Sequence, residues 1–283
     1  SDLMLVELFP KPLQPVGDIV FAPMHNANKR VLGQVDGILG ISKTQQDWGL
    51  ERAGRAAHEL DHVFPLGYQA QTSYSDEVKQ EAKEFWENQN VSESNFVCCF
   101  FGTIGYHFDL ETICKVAQKL NRDQVDDIQF VLCGNGAKFD YFNNTYGNLP
   151  NVVFPGWVNG PNILELMSRS KVGLAPYYSD SPFMSLPNKP SEYFAGGLPI
   201  ISSIVTGELS HILAQNDCGL TYRNDDAEAL LNHIKTLYQN PELQTIMSRN
   251  ASALFEMSFS SNVVYSRYVS HLERIVSTLS GNN

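Results

Sequence analysis

The stretch SLPNKPSEYFAGGLPIISS, residues 185–203, places a lysine and a glutamate at the start of a short predicted helix. Asn188 is a candidate cap and Pro190 suits the first helical position, so Glu192 falls in the first turn. Backbone N–H groups at a helix start can hold a phosphate oxygen, Lys189 adds positive charge, and the Glu192 carboxylate can accept hydrogen bonds from a ribose diol. Together these groups would suit a nucleotide. The simpler alternative is a glutamate that complements the helix dipole, with the lysine as its surface partner.

Two glycine-rich turns follow apolar runs that are typical of strands. VLCGNG ends in a Gly-Asn-Gly turn at Gly134, but Phe139 stands where a GxGxxG fingerprint needs glycine. FFGTIG places Gly102 and Gly105 after another such run. Ligands of open α/β sheets bind at the carboxyl ends of the strands, so both turns are candidate ligand contacts. Each turn also fits an ordinary tight connection between a strand and a helix.

The sequence lacks the residue patterns of several other chemistries. No Asp-x-Asp pair occurs, so the usual carboxylates for a metal bound to a nucleotide sugar are missing. The seven histidines show no metal-ligand spacing, and His107, after a glycine-rich turn, could face either a phosphate or solvent. There is also no Gly-x-Ser-x-Gly elbow and no Walker A lysine. A metal site, a serine hydrolase and a P-loop kinase therefore lack support.

Short apolar runs alternate with helix-length amphipathic stretches over most of the chain. The predicted strands span residues 35–42, 95–102, 128–134, 151–156, 170–176, 198–203 and 218–222. The predicted helices span residues 43–53, 109–120, 138–146, 161–169, 191–195, 210–214, 227–239, 241–255 and 261–279. A strand-to-strand spacing of roughly 20–30 residues is typical of βαβ crossovers, and nearly continuous apolar strands indicate burial on both faces. The sequence thus predicts an α/β protein with a doubly wound parallel sheet.

A polar, serine-rich and strandless segment with one charged helix predicts a linker in the first third of the chain. Too few βα elements precede it to complete an open sheet, whereas a full Rossmann-like domain follows it. A last helix has an apolar face, with Val264 and Leu272 on it, that must dock on another element. The predicted division is residues 1–72, 73–94, 95–260 and 261–283.

Composition limits the class of partners. The 283 residues carry a formal charge of −11, from 31 acidic and 20 basic side chains, which argues against nucleic-acid binding. No stretch approaches the run of about 18 apolar residues that spans a membrane. The five cysteines, with Cys98 and Cys99 adjacent, contain no Cys-x-x-Cys pair and suit reduced, buried thiols. We expect a cytoplasmic protein, with peripheral attachment to a membrane as an option.

Four motifs occur in the order found in one known family. They are FFGTIGYHFDLETICKVAQKL, FVLCGNG, NVVFPGWVNGPNILELMSRSKVGLAPY and LPNKPSEYFAGGLPIISSIVTGELSHIL. In this order they resemble the nucleotide-binding half of the retaining GT-B glycosyltransferases of family 4, also called group 1. The resemblance extends over residues 38–279 and implies that residues 1–72 are the tail of an N-terminal GT-B domain. The alternative is a generic doubly wound domain with ordinary turns.

The resemblance implies roles for individual residues. Glu192 corresponds to the second glutamate of the family's Glu-x7-Glu element, which binds the ribose hydroxyls of the donor. Met184 stands in the place of the first glutamate. The family's Gly-Arg-Leu turn begins here with Gly102 and Thr103, and the lysine that usually follows it is absent. With both basic residues gone, Lys189 is the charge expected to meet the pyrophosphate.

Further donor contacts are expected from backbone groups. Trp157 and Val158 lie where the family reads the base, and amides at Met184–Leu186 would help Lys189 to stabilise the departing diphosphate. No acid or base catalyst is identifiable. The expected donor contacts are Gly102, Thr103, Gly134, Trp157, Val158, Met184, Ser185, Leu186, Lys189 and Glu192.

The resemblance implies a glycosyltransferase that moves a sugar from a nucleotide sugar, expected to be UDP-linked, to an acceptor hydroxyl with retention. The acceptor would be a saccharide or a lipid-linked saccharide, and neither cofactor nor metal is expected. Two alternatives stay open: another GT-B enzyme such as a nucleotide-sugar 2-epimerase, and a non-catalytic nucleotide-binding or assembly subunit. The start at Ser1 and Asp2 is typical of a cut end. An incomplete N-terminal part leaves two options open: that this chain alone is inactive, and that it dimerises through that part.

Overall fold

The structure, a computed structural model, describes residues 11–70, 74–178 and 186–281. Its strands are β1 (Leu39–Gly40), β2 (His62–Val63), β3 (Phe96–Phe101), β4 (Ile128–Cys133), β5 (Val152–Val153), β6 (Ser170–Ala175), β7 (Ile200–Ser202) and β8 (Gly219–Thr221). Its helices are α1 (Gln14–Val20), α2 (Ala22–Leu32), α3 (Lys43–Ala53), α4 (Asp76–Asn88), α5 (Leu110–Arg122), α6 (Phe139–Tyr146), α7 (Gly160–Arg169), α8 (Lys189–Ala195), α9 (Glu208–Gln215), α10 (Ala227–Gln239), α11 (Pro241–Leu254) and α12 (Ser261–Gly281). All the predicted strands and helices are present, whereas α1, α2 and β2 had no clear signal in the sequence.

Contacts divide the chain into two compact units. One comprises Ser1–Pro65 and Ser266–Asn283, and the other comprises Leu66–Tyr265. This division differs from the predicted one, because the second unit begins before the predicted linker and includes it. The boundary at the other end falls within α12 and not at its start.

The second unit is built on a six-stranded parallel sheet with the order β5-β4-β3-β6-β7-β8. Every residue of β3 and β4 is buried, from Phe96 opposite Ile128 to Phe101 opposite Cys133. The chain runs outward from β3 to β4 and β5, and then returns to place β6 on the other side of β3. The predicted doubly wound fold is thus confirmed. The reversal of strand order beside β3 is where such sheets open a ligand crevice, at the carboxyl ends of the strands.

Helices cover both faces of this sheet. Helix α10 packs on α5, α11 on α8, and α4 on α7. The Asp109 carboxylate caps α5 by accepting a hydrogen bond from Thr112 N at 3.1 Å. The same helix buries Ile113, Val116 and Leu120 at helical spacing. The cap and the buried face together determine where the loop after β3 ends.

The predicted linker contains α4, and this helix is packed against the second unit. Trp86 is fully buried, and its Nε1 donates a hydrogen bond to the Asn162 carbonyl in α7 at 2.8 Å. Only Ala82 and Trp86 of this helix are buried. Two buried residues in a charged helix provide little apolar periodicity, so the pattern did not indicate docking. Burial of one large indole is nevertheless enough to attach the helix.

The first unit contains a small βαβ element, in which β1 pairs in parallel with β2 and α3 connects them. The buried Asp61 carboxylate fixes the connection, since it accepts hydrogen bonds from Arg55 Nη2 at 2.8 Å and from Ile38 N at 2.7 Å. Hydrogen bonding from the Arg55 guanidinium holds the pKa of Asp61 well below its ordinary value. Strand β2, which was not predicted, therefore begins directly after Asp61, the residue that is paired with Arg55.

The final helix α12 docks by a face slightly rotated from the predicted one. Val264 and His271 are buried, whereas Leu272, predicted to face inward, is 36% exposed. In the first unit, His271 Nε2 lies 3.0 Å from the Leu60 carbonyl oxygen and Arg274 Nη2 lies 2.7 Å from His271 Nδ1. Because a guanidinium can only donate, the ring carries its proton on Nε2 and donates to Leu60. A buried histidine had not been expected from an apolar pattern.

Candidate functional site

A cavity of about 310 Å³ opens at the carboxyl edge of the sheet in the second unit. It lies where β3, β4 and β5 end and where α8 begins, which is the crevice that the strand order predicts. Its lining contains six of the ten predicted donor contacts. The lining residues are Phe101, Gly102, Thr103, Cys133, Gly134, Asn135, Trp157, Val158, Ile163 and Lys189.

Backbone hydrogen bonds between neighbouring turns form the floor of this cavity. Gly102 N donates to Cys133 O at 3.0 Å, and Gly134 N donates to Gly156 O at 2.7 Å. Gly134 has a φ of +134°, and a Cβ added there would lie 1.7 Å from Gly102 O. Only glycine can therefore occupy position 134, because the two turns approach too closely for a side chain. The close packing of the turns explains why glycines occur here although the sequence has no GxGxxG fingerprint.

Lys189 is the first residue of α8, and its side chain lies over Gly102. A Cβ added to Gly102 would lie 2.7 Å from Lys189 Cε and 3.0 Å from Nζ. Burial lowers the pKa of Lys189, an effect that the negative charge of Glu192 opposes. Asn188 precedes the helix but makes no side-chain capping bond, contrary to its predicted role, because its backbone is already helical. A half-buried cation thus lines the cavity at the end of β3.

Glu192 lines a second, smaller cavity of about 160 Å³. Its pKa is raised by burial, and the nearby charge of Lys189 opposes the shift. Ile163 lines both cavities. The sequence predicted one site containing both charged groups, and in the structure Lys189 lines the larger cavity and Glu192 the smaller one. The second cavity is lined by Tyr68, Ala70, Tyr74, Gly160, Ile163, Leu164, Met167, Glu192 and Ala195.

The remaining predicted contacts lie in different surroundings. The Trp157 side chain is 72% exposed at the cavity edge, whereas Val158 is only 9% exposed. Leu186 is half-buried and packs against the core of the second unit. Met184 and Ser185 fall outside the described residues. The proposed amide contribution of this segment to diphosphate binding is therefore left as a prediction.

Sequence reasoning missed several residues that line the two cavities. Asn135 was visible in the Gly-Asn-Gly turn, and its position between two glycines could have identified it. Ile163 resembled an ordinary core position of α7. Tyr68 and Tyr74 offered no signal, because the predicted division assigned one to the N-terminal piece and the other to the linker. Their place in the second unit depends on contacts distant in sequence.

No group of three or more histidine, cysteine, aspartate or glutamate side chains in residues 11–70, 74–178 and 186–281 is arranged to hold a metal ion. Over the same ranges, none of the helices combines the length and the apolar character needed to cross a bilayer. His107, a candidate phosphate contact, is exposed, and its carbonyl accepts a hydrogen bond from Tyr178 N at 3.1 Å.

The fold and the cavity define a doubly wound α/β protein with a ligand crevice at the carboxyl edge of its sheet. The family model of glycosyl transferases group 1 matches residues 81–253. This match covers more than half of the chain and extends from α4 into α11, and the chain belongs to that family. No curated protein sequence matches the chain significantly.

Several solved structures share the fold. Sucrose-phosphate synthase from Thermosynechococcus elongatus is 17% identical with a TM-score of 0.67, over 90% of this chain and 62% of the synthase. HepE from Anabaena, in complex with UDP-glucose, is 18% identical with a TM-score of 0.64, over 91% of this chain and 67% of HepE. A glycosyltransferase from Rickettsia africae is 13% identical with a TM-score of 0.68, over 89% of this chain and 67% of that protein. The chain thus has a GT-B-type Rossmann-like domain and spans less than two thirds of the synthase.

Proposed function

We propose that this chain is the donor-binding part of a retaining GT-B glycosyltransferase of family 4. The observation that carries the proposal is the position of Lys189 over Gly102, in a cavity formed by the turns after β3, β4 and β5. A cation against closely packed backbone turns suits a diphosphate, because charge-assisted hydrogen bonds to phosphate oxygens are strong. The family match supports sugar transfer as the reaction.

The chemistry that we assign to Lys189 is stabilisation of the leaving group. When the bond between the sugar and the nucleotide breaks, negative charge accumulates on the diphosphate. A cation and amide groups that are already in place stabilise this charge without reorganisation. Amides at Met184–Leu186 are proposed to assist. Since Lys189 supplies the positive charge, transfer is proposed to need no metal ion.

The nucleotide is proposed to be UDP. HepE, one of the structural neighbours, is in complex with UDP-glucose. Backbone groups of Trp157 and Val158 are proposed to read the base at the rim of the larger cavity. Glu192 is proposed to accept hydrogen bonds from the ribose hydroxyls in the smaller one. The two cavities would then hold different parts of one ligand.

The acceptor is proposed to be a hydroxyl group of a saccharide or lipid-linked saccharide. The first unit is proposed to correspond to the tail of the N-terminal GT-B domain. Catalysis in such folds depends on holding donor and acceptor in reacting geometry, which can supply several kcal/mol of the barrier. Self-association through the first unit is also proposed.

Binding and turnover measured side by side test the proposal. Calorimetry with UDP, ADP and GDP, and with their glucose conjugates, should find UDP ligands bound most tightly. Wild-type protein with the preferred donor should release UDP and transfer the sugar with retention, read from the anomeric proton by NMR. Formation of an epimerised nucleotide sugar would favour the epimerase, and tight binding without turnover for every acceptor would favour the non-catalytic subunit. Failure of all these ligands to bind would refute a nucleotide-sugar site.

A further inference from the structure

The smaller cavity contains an unusual set of polar groups for its size. Among the described residues that line it, Glu192 has the only charged side chain, and the hydroxyl groups of Tyr68 and Tyr74 are the only other polar side-chain atoms. The other lining residues are apolar or glycine, including Leu164 and Met167. A concave apolar lining with a few convergent polar groups is typical of a ligand site.

These three polar groups are near one another and have no protein partner among the described residues. Neither tyrosine hydroxyl and neither Glu192 carboxylate oxygen forms a hydrogen bond with another described residue. Burial raises the pKa of Tyr68, and the charge of Glu192 and the neighbouring Tyr74 raise it further. The Tyr74 hydroxyl oxygen is 2.8 Å from the position of a Cβ added to Gly160, so it lies directly over that glycine. Half-buried polar groups without intramolecular partners call for a ligand or water to satisfy them.

The chemistry of the three groups is complementary to that of a vicinal diol. An ionised carboxylate can only accept hydrogen bonds, whereas a phenol can donate one. Each hydroxyl of a diol can donate its proton to Glu192 while its oxygen accepts from a tyrosine. The cavity volume of about 160 Å³ leaves room for a small group such as a single sugar ring.

We infer that Tyr68 and Tyr74 are specificity-determining residues that, together with Glu192, bind the 2′,3′-diol of the donor's ribose and select ribonucleotides over deoxyribonucleotides. The inference rests on the proposed nucleotide site. Glu192 and Lys189 are three residues apart on α8 and therefore neighbours on its surface, so a ribose at one and a diphosphate at the other are within reach of one nucleotide. Tyr68 and Tyr74, which precede α4 in the chain, thus belong to the donor site.

Calorimetry with matched ligands tests this inference. UDP, 2′-deoxy-UDP and 3′-deoxy-UDP are titrated into wild-type protein and into Tyr68→Phe and Tyr74→Phe, which keep the ring and remove only the hydroxyl. Wild type should bind UDP at least about tenfold more tightly than either deoxy ligand. Each variant should bind UDP about three- to tenfold more weakly than wild type while binding one of the deoxy ligands unchanged. Tyr265→Phe, at a 51% exposed position on α12, is the control and should not alter any affinity.

The outcomes separate this inference from the proposed function. If a tyrosine variant loses the same affinity for UDP and for both deoxy ligands, the hydroxyl groups support the local fold, and the inference is refuted. Unchanged UDP affinity in both variants would refute it as well, with the nucleotide site intact. If the tyrosine variants bind glucose, titrated as an acceptor, more weakly than wild type does but bind UDP equally well, the diol belongs to the acceptor. That outcome would overturn the assignment to ribose. If wild type binds no UDP at all, it is the proposed function that fails.

Discussion

The side chain of Lys189 lies over the α-carbon of Gly102. A Cβ added to the glycine would lie 2.7 Å from Cε and 3.0 Å from Nζ of the lysine. This contact joins the start of α8 to the end of β3. The absence of a side chain at position 102 leaves room for the ammonium group inside the cavity. Position 102 thus controls where the charge of Lys189 lies.

Gly102→Ala should weaken UDP binding by displacing Lys189. A Cβ contact below 3.0 Å forces a shift, and the flexible lysine moves more easily than the backbone turn. We expect UDP affinity to fall by roughly tenfold, about 1.4 kcal/mol, with uridine affinity much less affected. Calorimetry with both ligands measures the difference.

Gly105→Ala in the same turn is the matched control. The nearest atom to a Cβ there is Thr103 Cγ2 at 3.7 Å, an ordinary contact distance. UDP affinity should therefore stay within about twofold of wild type. Equal losses in the two variants would mean that any added methyl group perturbs the turn, and the specific role of Gly102 would be wrong.

Lys189→Gln should weaken the binding of diphosphates and leave the binding of nucleosides nearly unaffected. The lysine charge interacts with the ligand only when phosphate groups are present, and glutamine keeps most of the side-chain length. UDP affinity should fall by about tenfold or more, an energy of at least ~1.4 kcal/mol, while uridine affinity is unchanged. Lys119→Gln, in the last turn of α5, is the control, because that turn leads back to the opposite edge of the sheet. An equal loss of uridine affinity would indicate that Lys189 supports only the local fold.

Glu192→Gln should have opposite effects on binding and on stability. The pKa of Glu192 is raised in the folded protein, a net effect in which burial outweighs the charge of Lys189. Its contribution to stability is therefore fully present below the ordinary pKa of glutamate and is lost as pH rises through the raised value. Glutamine has no such loss, so the free energy of unfolding of the variant should rise relative to wild type as pH rises from the ordinary pKa of glutamate through the raised value.

Urea denaturation across this pH range checks the stability, and calorimetry checks the affinity. UDP binding to Glu192→Gln should weaken by about 1.5–3 kcal/mol, the range for hydrogen bonds to a charged group. A variant that loses relative stability as pH rises would show that an unseen partner stabilises the carboxylate. Unchanged UDP affinity would remove Glu192 from the site.

Chelation should leave donor binding intact. If Lys189 and backbone amides stabilise the diphosphate, EDTA in cation-free buffer should change UDP affinity by no more than about twofold, roughly 0.4 kcal/mol. Titration of UDP with EDTA, and then with added Mn²⁺ or Mg²⁺, measures this. A tenfold loss that either cation restores would contradict metal-independent binding.

The sheet of the second unit was predictable because its strands are buried on both faces. Runs such as FVCCFF must be apolar throughout when helices cover both sides, and the intervening helices have one apolar face each. The docking of helix α4 was not predictable, because only Ala82 and Trp86 of this helix are buried, too few for a periodic signal. The docked face of α12 was misplaced because a buried histidine contributes to it.

The sequence by itself determined the fold class, the order of elements in the second unit and the turns that could meet a ligand, since these depend on local patterns and on strands that end at one edge of a sheet. Only the tertiary structure decided that Lys189 lies over Gly102, that Glu192 faces a separate cavity, and that Tyr68 and Tyr74 line that cavity with it. Each of these relationships joins residues from different elements. Their distances depend on how helices pack on the sheet, which no local pattern encodes.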